Sequence, residues 1–360
     1  MILHVITNFT ARAGAEKMLG RLLSASDGEE AVVVSLMAIS EHNKARVHAA
    51  NVRFIALGAH SLVQLVLAIY TLSRLICRER PRVVLCWMYH AMAIGTLAHL
   101  LAGRSGALYW TIRQSLDDVS SLSRSTRAAI AFCKRLSRLP RGIIYNSARA
   151  RTLHEEAGFA GGRATVIPNG FDLPETVEVA PRSPRVFGIV GRLHPQKDHA
   201  TFFQAAGLAA QDCPDLRIIA AGHGLEASNS AVTEMIAPAG LRADQVTLLG
   251  EVEDMAQVYR SLDVLVLSSR TEGFPNVVAE AMSHARPVIT TDVGDAAHIV
   301  GDTGLTVPQQ DVNAMASAIV ALCKTDATGY VSLCKRARAR IEDNFLIKTI
   351  AEDFLASLTS

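Results

Sequence analysis

The stretch Thr271-Glu272-Gly273-Phe274-Pro275-Asn276-Val277-Val278-Ala279-Glu280-Ala281-Met282 follows the apolar run Val264–Leu267 and the small residues Ser268-Ser269. An apolar run, a polar loop and then apolar positions at helical spacing read as a buried strand, a turn and a helix, the repeating unit of a parallel α/β sheet. Pro275 suits the first helical position, where its missing N–H has no partner to lose. The amides of Asn276, Val277 and Val278 would then emerge at the positive end of the helix dipole, an arrangement that binds phosphate. Glu280 lies on the first turns of this helix, and helical side chains lean toward the N-terminus. Its carboxylate is therefore placed for a ribose above the helix start, while Glu272 in the preceding loop can face a sugar.

Two acids beside a phosphate need cations. Gly191-Arg192-Leu193-His194-Pro195-Gln196-Lys197, directly after the apolar run Val186–Val190, supplies them. Arg192 offers forked contacts to phosphate oxygens and Lys197 a compact charge. Together they would neutralise a departing diphosphate, the task Mg²⁺ performs in metal-dependent transferases. Asp-x-Asp occurs nowhere in the chain, so the expectation is a site without metal and without a cofactor.

Outward from this segment the same alternation of strand and helix continues. Strands are expected at 186–190, 216–221, 245–248, 264–267, 287–290 and 305–307, and in the first half at 3–7, 31–36, 52–55, 83–87, 107–112, 142–145 and 165–167. Residues 173–184 interrupt the rhythm with Pro174, Pro181 and Pro184 and read as a linker. The expected fold is α/β: two Rossmann-like, doubly wound parallel-sheet domains, 1–178 and 179–344, with about 345–360 completing the first. The loop between Asn8 and Glu16 lacks Gly-x-Gly-x-x-Gly, which argues against a dinucleotide oxidoreductase.

With 49% hydrophobic and 19% charged residues the chain has the composition of packed domains. The six cysteines show no paired spacing and read as free thiols of a reducing, cytoplasmic compartment. Residues 62–77 fall short of the ~20 apolar residues that a bilayer requires, and 83–102 change from strand-like to helix-like at about Met92. No membrane span or signal peptide is expected. The net charge of +2 divides unevenly: residues 1–180 hold 21 Lys+Arg against 13 Asp+Glu, and the remainder 15 against 21. The basic half suits an anionic membrane or acceptor, or else docking of the two halves. Residues 123–141 carry Arg124, Arg127, Lys134, Arg135, Arg138 and Arg141 among Ile130, Phe132, Leu136 and Leu139. They suit a basic amphipathic helix at an anionic membrane, and equally an ordinary surface helix. Aromatics at 5% and the lack of a recognised module argue against nucleic acid.

Glu272-x7-Glu280, Gly191-Arg192-x4-Lys197, Ile167-Pro168-Asn169-Gly170-Phe171-Asp172 and Gly222-His223-Gly224 together resemble the motif set of the retaining glycosyltransferases of family 4. The resemblance covers nearly the whole chain. It implies the GT-B fold, in which two domains face a cleft and the last helix crosses back to the N-terminal domain, with Asn344-Phe345 near the crossing. It also implies a nucleotide-diphosphate sugar, of UDP or GDP type, held mainly by the C-terminal domain. Arg192, Lys197 and the amides after Phe274 would hold the diphosphate, Glu280 the ribose, and backbone near Val252 the base, with Gly273 also in the donor site. Gly222 belongs to the same donor site.

In the first half, Arg12-Ala13-Gly14-Ala15-Glu16 resembles the family's Gly-Gly-Ala-Glu loop, with Gly14 retained. Tyr89-His90-Ala91 and Ile112-Arg113-Gln114-Ser115 resemble a surface-polysaccharide subset. His90 is then the candidate for taking the acceptor proton or positioning its hydroxyl, against a histidine that merely closes a strand. Arg113 would assist the leaving phosphate or hold an anionic acceptor, against an ion-pair partner for Asp117 or Asp118. The expected activity is transfer of a sugar to a glycan or lipid-linked acceptor. A nucleotide-sugar epimerase of the same fold and a non-catalytic nucleotide-sugar sensor are the alternatives, since fold alone does not separate them.

Overall fold

The structure is a computed structural model that describes residues 1–10, 14–26, 28–120 and 122–359. The chain forms two compact units, Met1–Gly170 with Ile347–Ser360, and Phe171–Leu346.

The first unit is built on seven strands, β1 (Ile2–Ile6), β2 (Ala31–Ser35), β3 (Val52–Ala56), β4 (Val83–Trp87), β5 (Ala107–Ile112), β6 (Gly142–Tyr145) and β7 (Ala164–Val166), ordered β3-β2-β1-β4-β5-β6-β7. Every pairing is parallel. β1, β2 and β4 are buried at each residue, because helices cover both faces of the sheet and leave no polar-out positions. One face packs Leu3, Val5, Val84, Trp110 and Ile143 against the helices Leu62–Glu79, Met88–Leu101 and Arg124–Leu136. The other packs Ile2, Trp87 and Tyr109 against helix Gly14–Ala25 and the final helix Ile347–Ser357, whose Phe354 ring stacks on Trp87 at 6.0 Å.

The second unit repeats the plan with β8 (Val186–Val190), β9 (Arg217–Ala221), β10 (Val246–Gly250), β11 (Val264–Leu267), β12 (Val288–Thr291) and β13 (Leu305–Val307), ordered β10-β9-β8-β11-β12-β13 and again all parallel. Phe171 forms a bridge with Leu346, and its N–H donates to the Phe345 carbonyl at 2.9 Å, so the chain enters and leaves this unit side by side.

Three sequence expectations shift. Residues 173–184 are not a free linker but part of the second unit. Arg182 clamps Asp263 with two hydrogen bonds of 2.8 and 3.0 Å, and the Pro174 and Glu178 carbonyls accept from Arg338 and Arg286. The change of unit falls earlier, at Gly170/Phe171. Helix Met88–Leu101 begins directly on β4 rather than at Met92, through Met88 at φ +66, so His90 lies in its first turn and not at a strand end. All six cysteines are free, five of them buried and Cys77 exposed. Among the described residues no helix is long and apolar enough to cross a membrane.

Two buried histidines predict how stability depends on pH. His154 directs Nδ1 to the Ala150 carbonyl at 2.7 Å, so that nitrogen carries the proton and Nε2 accepts from the Tyr89 hydroxyl at 2.8 Å. His4 accepts from Trp87 Nε1 at 3.2 Å. Burial pushes His154 down to about 4 and His4 to about 3. Both folded values lie below the unfolded value of about 6.5. Between pH 6.5 and about 4 the unfolded chain therefore binds protons that the folded chain refuses, and stability falls as pH falls. Melting temperatures measured across that window should drop, and more weakly in a His154→Gln variant. An unchanged slope in the variant would remove His154 from the account.

Candidate active site

In the second unit the strand order turns at β8: β9 and β10 lie to one side, β11 to β13 to the other. Loops leaving β8 and β11 diverge from that point, where open parallel sheets take ligands. The ladder between the two strands covers only Phe187–Gly188 and Val264–Leu265, ending two residues short of either strand's end.

The two loops are sewn together. Gln196 Nε2 donates to the Thr271 carbonyl at 2.9 Å and to its hydroxyl at 2.7 Å. Ser268 donates to the Lys197 carbonyl at 2.9 Å, and the Arg270 N–H to the Gln196 carbonyl at 2.8 Å. Arg270 pairs with the buried Asp198 at 3.1 Å. At the centre Lys197 Nζ lies 2.6 Å from Glu272 Oε1, which also accepts from Ser269 at 2.7 Å. Sequence reasoning gave Lys197 to a diphosphate and Glu272 to a sugar. The structure joins them to each other, so the lysine is fixed in place by the acid across the loops. Arg192 stands exposed at the head of its loop.

Helix Asn276–Ser283 starts one residue later than expected. Pro275 is its cap, at φ −74 and ψ 94, and the cap makes no side-chain hydrogen bond. The Val278 N–H donates to the Pro275 carbonyl at 3.1 Å, which removes it from the amides expected to face phosphate and leaves that assignment to the positions of Asn276 and Val277. Phe274 is buried within 6.1 Å of Phe171 and 6.0 Å of Phe345, anchoring the loop in the core, while the Gly273 carbonyl accepts from Asp295 N–H at 3.0 Å. Glu280 is buried and accepts from the Tyr259 hydroxyl at 2.8 Å.

On the other side of β8, backbone bonds knit three loops. Gly191 N–H donates to the Ala221 carbonyl, Leu193 N–H to the His223 carbonyl at 2.7 Å, and Gly222 N–H to the Gly250 carbonyl at 2.7 Å. Val252 sits half-buried just beyond, and His223 lies 3.7 Å from Glu251 on the surface.

In the first unit the strand order turns between β1 and β4. Gly14 opens helix Gly14–Ala25, whereas Arg12 and Ala13 fall outside the described residues. Glu16, in that helix's first turn, has its carboxyl pushed upward by burial. His90 is half-buried and its pKa is lowered by burial, which keeps it in the proton-accepting form at neutral pH. Arg113 departs from the ion-pair expectation. Asp117 binds Arg149 and Ser115 instead, and Arg113 turns inward between the rings of Trp87 and Phe354 at 5.6 and 5.2 Å. It donates to Thr111 Oγ1, the Ile167 carbonyl and Asn169 Oδ1, and burial pushes it down to about 9.

The glycosyltransferase family 4 model matches residues 14–175, and the model for glycosyl transferases group 1 matches residues 184–325. The lipopolysaccharide core biosynthesis mannosyltransferase LpsB of Rhizobium meliloti is 30% identical over 253 residues, covering 65% of this chain and 70% of that protein. This chain belongs to glycosyltransferase family 4. A second relative is the Escherichia coli UDP-Gal:alpha-D-GlcNAc-diphosphoundecaprenol alpha-1,3-galactosyltransferase, 28% identical over 51% of each chain. Among solved structures, Anabaena Alr3699/HepE in complex with UDP and glucose superposes with a TM-score of 0.81 over 99% of both chains at 21% identity. That likeness identifies the two domains as those of the GT-B fold.

Several side chains of this glycosyltransferase escaped sequence reasoning: Gln196, Asp198, Tyr259, Ser268, Ser269, Arg270 and Thr291, whose hydroxyl donates to the Ser269 carbonyl at 2.7 Å. The run of small hydroxyl residues at the end of β11 was the available signal for two of them. Tyr259 carried none, because its helix reaches Glu280 only through the folded sheet.

Proposed function

We propose that this glycosyltransferase moves a sugar from a UDP- or GDP-type nucleotide-diphosphate sugar to a glycan or lipid-linked acceptor of surface-polysaccharide assembly, with retention of anomeric configuration and no divalent cation. The observation that carries the reading is the Lys197–Glu272 clasp at the strand-order turn, beside the start of helix Asn276–Ser283. Arg192 and Lys197 would meet the diphosphate there and Glu280, oriented by Tyr259, the ribose. The names of the relatives, which concern lipopolysaccharide core and a diphosphoundecaprenol acceptor, support the acceptor class.

In the proposed reaction the bond between the sugar's anomeric carbon and the diphosphate breaks, and the two cations take up the developing negative charge. The acceptor oxygen bonds the same carbon from the face the diphosphate leaves. Its proton passes to a departing phosphate oxygen, with His90 positioning the hydroxyl. The protein would work at the cytoplasmic face of a membrane.

Transfer assayed with UDP- and GDP-sugars, with and without EDTA, tests this directly. Activity should survive EDTA, and the product should keep the donor's anomeric configuration by NMR. The matching nucleoside diphosphate at 100 times its Kd should add about 2.7 kcal/mol of stability. Activity lost to EDTA and restored by Mg²⁺ or Mn²⁺ would overturn the metal-free reading; an inverted product would overturn retention. Donor epimerised without any acceptor would assign the protein to the epimerase class.

A further inference from the structure

Among the described residues, the buried histidines are His4, His99, His154 and His199. The first three each hold a hydrogen bond, to Trp87, the Gly106 carbonyl and the Ala150 carbonyl. His199, 2% exposed, is the exception: neither of its ring nitrogens reaches solvent or a hydrogen-bond partner. An imidazole buried without a bond destabilises the fold, and an apolar side chain in its place escapes that penalty. A polar ring kept there points to a partner gained in another state of the protein.

The local backbone shows which partner. Asp198 takes a left-handed conformation, φ 49 and ψ 50, held by Thr201 at 2.9 Å and Arg270 at 3.1 Å, and His199 then opens helix His199–Asp212. The turn carries the ring back to the start of its own loop, where the Gly191 carbonyl lies close enough to favour a proton on it. Burial outweighs that influence and pushes His199 down to about 4, so at neutral pH the ring is uncharged and carries one N–H. Gly191 lies just beyond β8, and its carbonyl accepts no backbone hydrogen bond among the described residues. An unbonded donor and an unbonded acceptor therefore lie side by side. Gly191 and His199 also bracket both cations of the loop: Arg192 follows the first directly, and Lys197 precedes the second by two residues. A bond between them closes the loop at its base and sets the spacing of the two charges.

We propose, resting on the assignment of Arg192 and Lys197 to a diphosphate, that His199 is a positioning residue of the donor loop: its ring N–H bonds the Gly191 carbonyl when the diphosphate draws the two cations together. His199 acts on the ligand through Arg192 and Lys197 and does not touch it.

The full chain, with UDP and GDP as probes, tests this. His199→Leu keeps a similar volume and removes both nitrogens. Without ligand this variant should melt at or above the wild-type temperature, because it loses no bond and sheds an unbonded polar group. Whichever nucleotide the wild-type chain takes should bind the variant about three- to tenfold more weakly in calorimetry, the worth of one hydrogen bond. In the ¹⁵N-histidine-labelled wild-type chain, the His199 ring N–H signal, assigned by its loss in His199→Gln, should move downfield when that nucleotide is added. Unchanged affinity in His199→Leu, a lowered melting temperature of that variant without ligand, or a ring signal that stays in place at saturation overturns the proposal and leaves the diphosphate assignment standing. A wild-type chain that binds neither nucleotide overturns both.

Discussion

Replacing Lys197 with alanine lowers kcat by roughly 10²–10³-fold, as losing one preorganised electrostatic contact to a charge that develops in the transition state does. The ammonium sits 2.6 Å from Glu272, and its own carbonyl is held by Ser268, so its position is set before any ligand arrives. Alanine removes the charge and strands the Glu272 carboxylate with Ser269 as its remaining partner, beside the expected path of a diphosphate. Donor binding should weaken as well as turnover. Glu272→Ala should also cut kcat strongly, because Lys197 loses the group that orients it. The two sites touch, so the double variant should lose much less than the product of the single effects. Steady-state kinetics with circular dichroism melts check this. A Lys197→Ala enzyme within threefold of the native kcat, at unchanged fold, removes the lysine from the mechanism.

Gly222→Ala should damage both stability and donor binding. A Cβ there would lie 2.2 Å from the Gly191 oxygen, 2.5 Å from the Gly191 carbonyl carbon and 3.0 Å from the Arg192 nitrogen. All three are backbone atoms, so no side chain can swing aside, and φ is +145. The Arg192 loop must move, and with it the bonds from Gly191 to Ala221, from Leu193 to His223 and from Gly222 to Gly250. We expect a loss of about 2–3 kcal/mol by urea unfolding and donor affinity reduced by more than about tenfold, since Arg192 is carried on the displaced loop. Gly240→Ala is the control. Its φ of +71 is strained for alanine, but a Cβ there meets nothing within 4 Å. It should cost about 1–2 kcal/mol for the backbone alone and leave donor affinity intact. Equal donor affinity in both variants would show that the approach of Gly222 to Gly191 does not shape the site.

The strands were legible because buried parallel strands are continuous apolar runs. β4, β5, β6, β8, β11 and β13 begin and end where their runs do. Errors gathered where tertiary packing decides. Nothing local in the sequence announces that Met88 takes a positive φ and starts a helix without a loop. Prolines at 174, 181 and 184 look like a linker until Arg182 is found clamping Asp263, and Arg286 and Arg338 binding the carbonyls of that stretch. In the site, spacing brought Arg192, Lys197, Glu272 and Glu280 to one sheet edge. It could not reveal that Lys197 and Glu272 bond each other, or that Glu280 answers to Tyr259, because those partners lie 75 and 21 residues apart. The inward contacts of Arg113 were hidden for the same reason: its companions Trp87, Ile167 and Phe354 come from three distant segments.

The bridge between Phe171 and Leu346 makes the second unit an insertion, with the first unit's last helix encoded beyond it. Order of synthesis and order of completion are thereby reversed. While the ribosome is still making residues 171–346, the face of the first sheet bearing Trp87 and Ile2 awaits Ile350 and Phe354, which are encoded after them. The inserted unit holds all its strands in one continuous piece and can close as soon as it is free. The nascent chain thus carries an uncovered apolar surface while residues 171–346 are made, and helix Ile347–Ser357 then seals it.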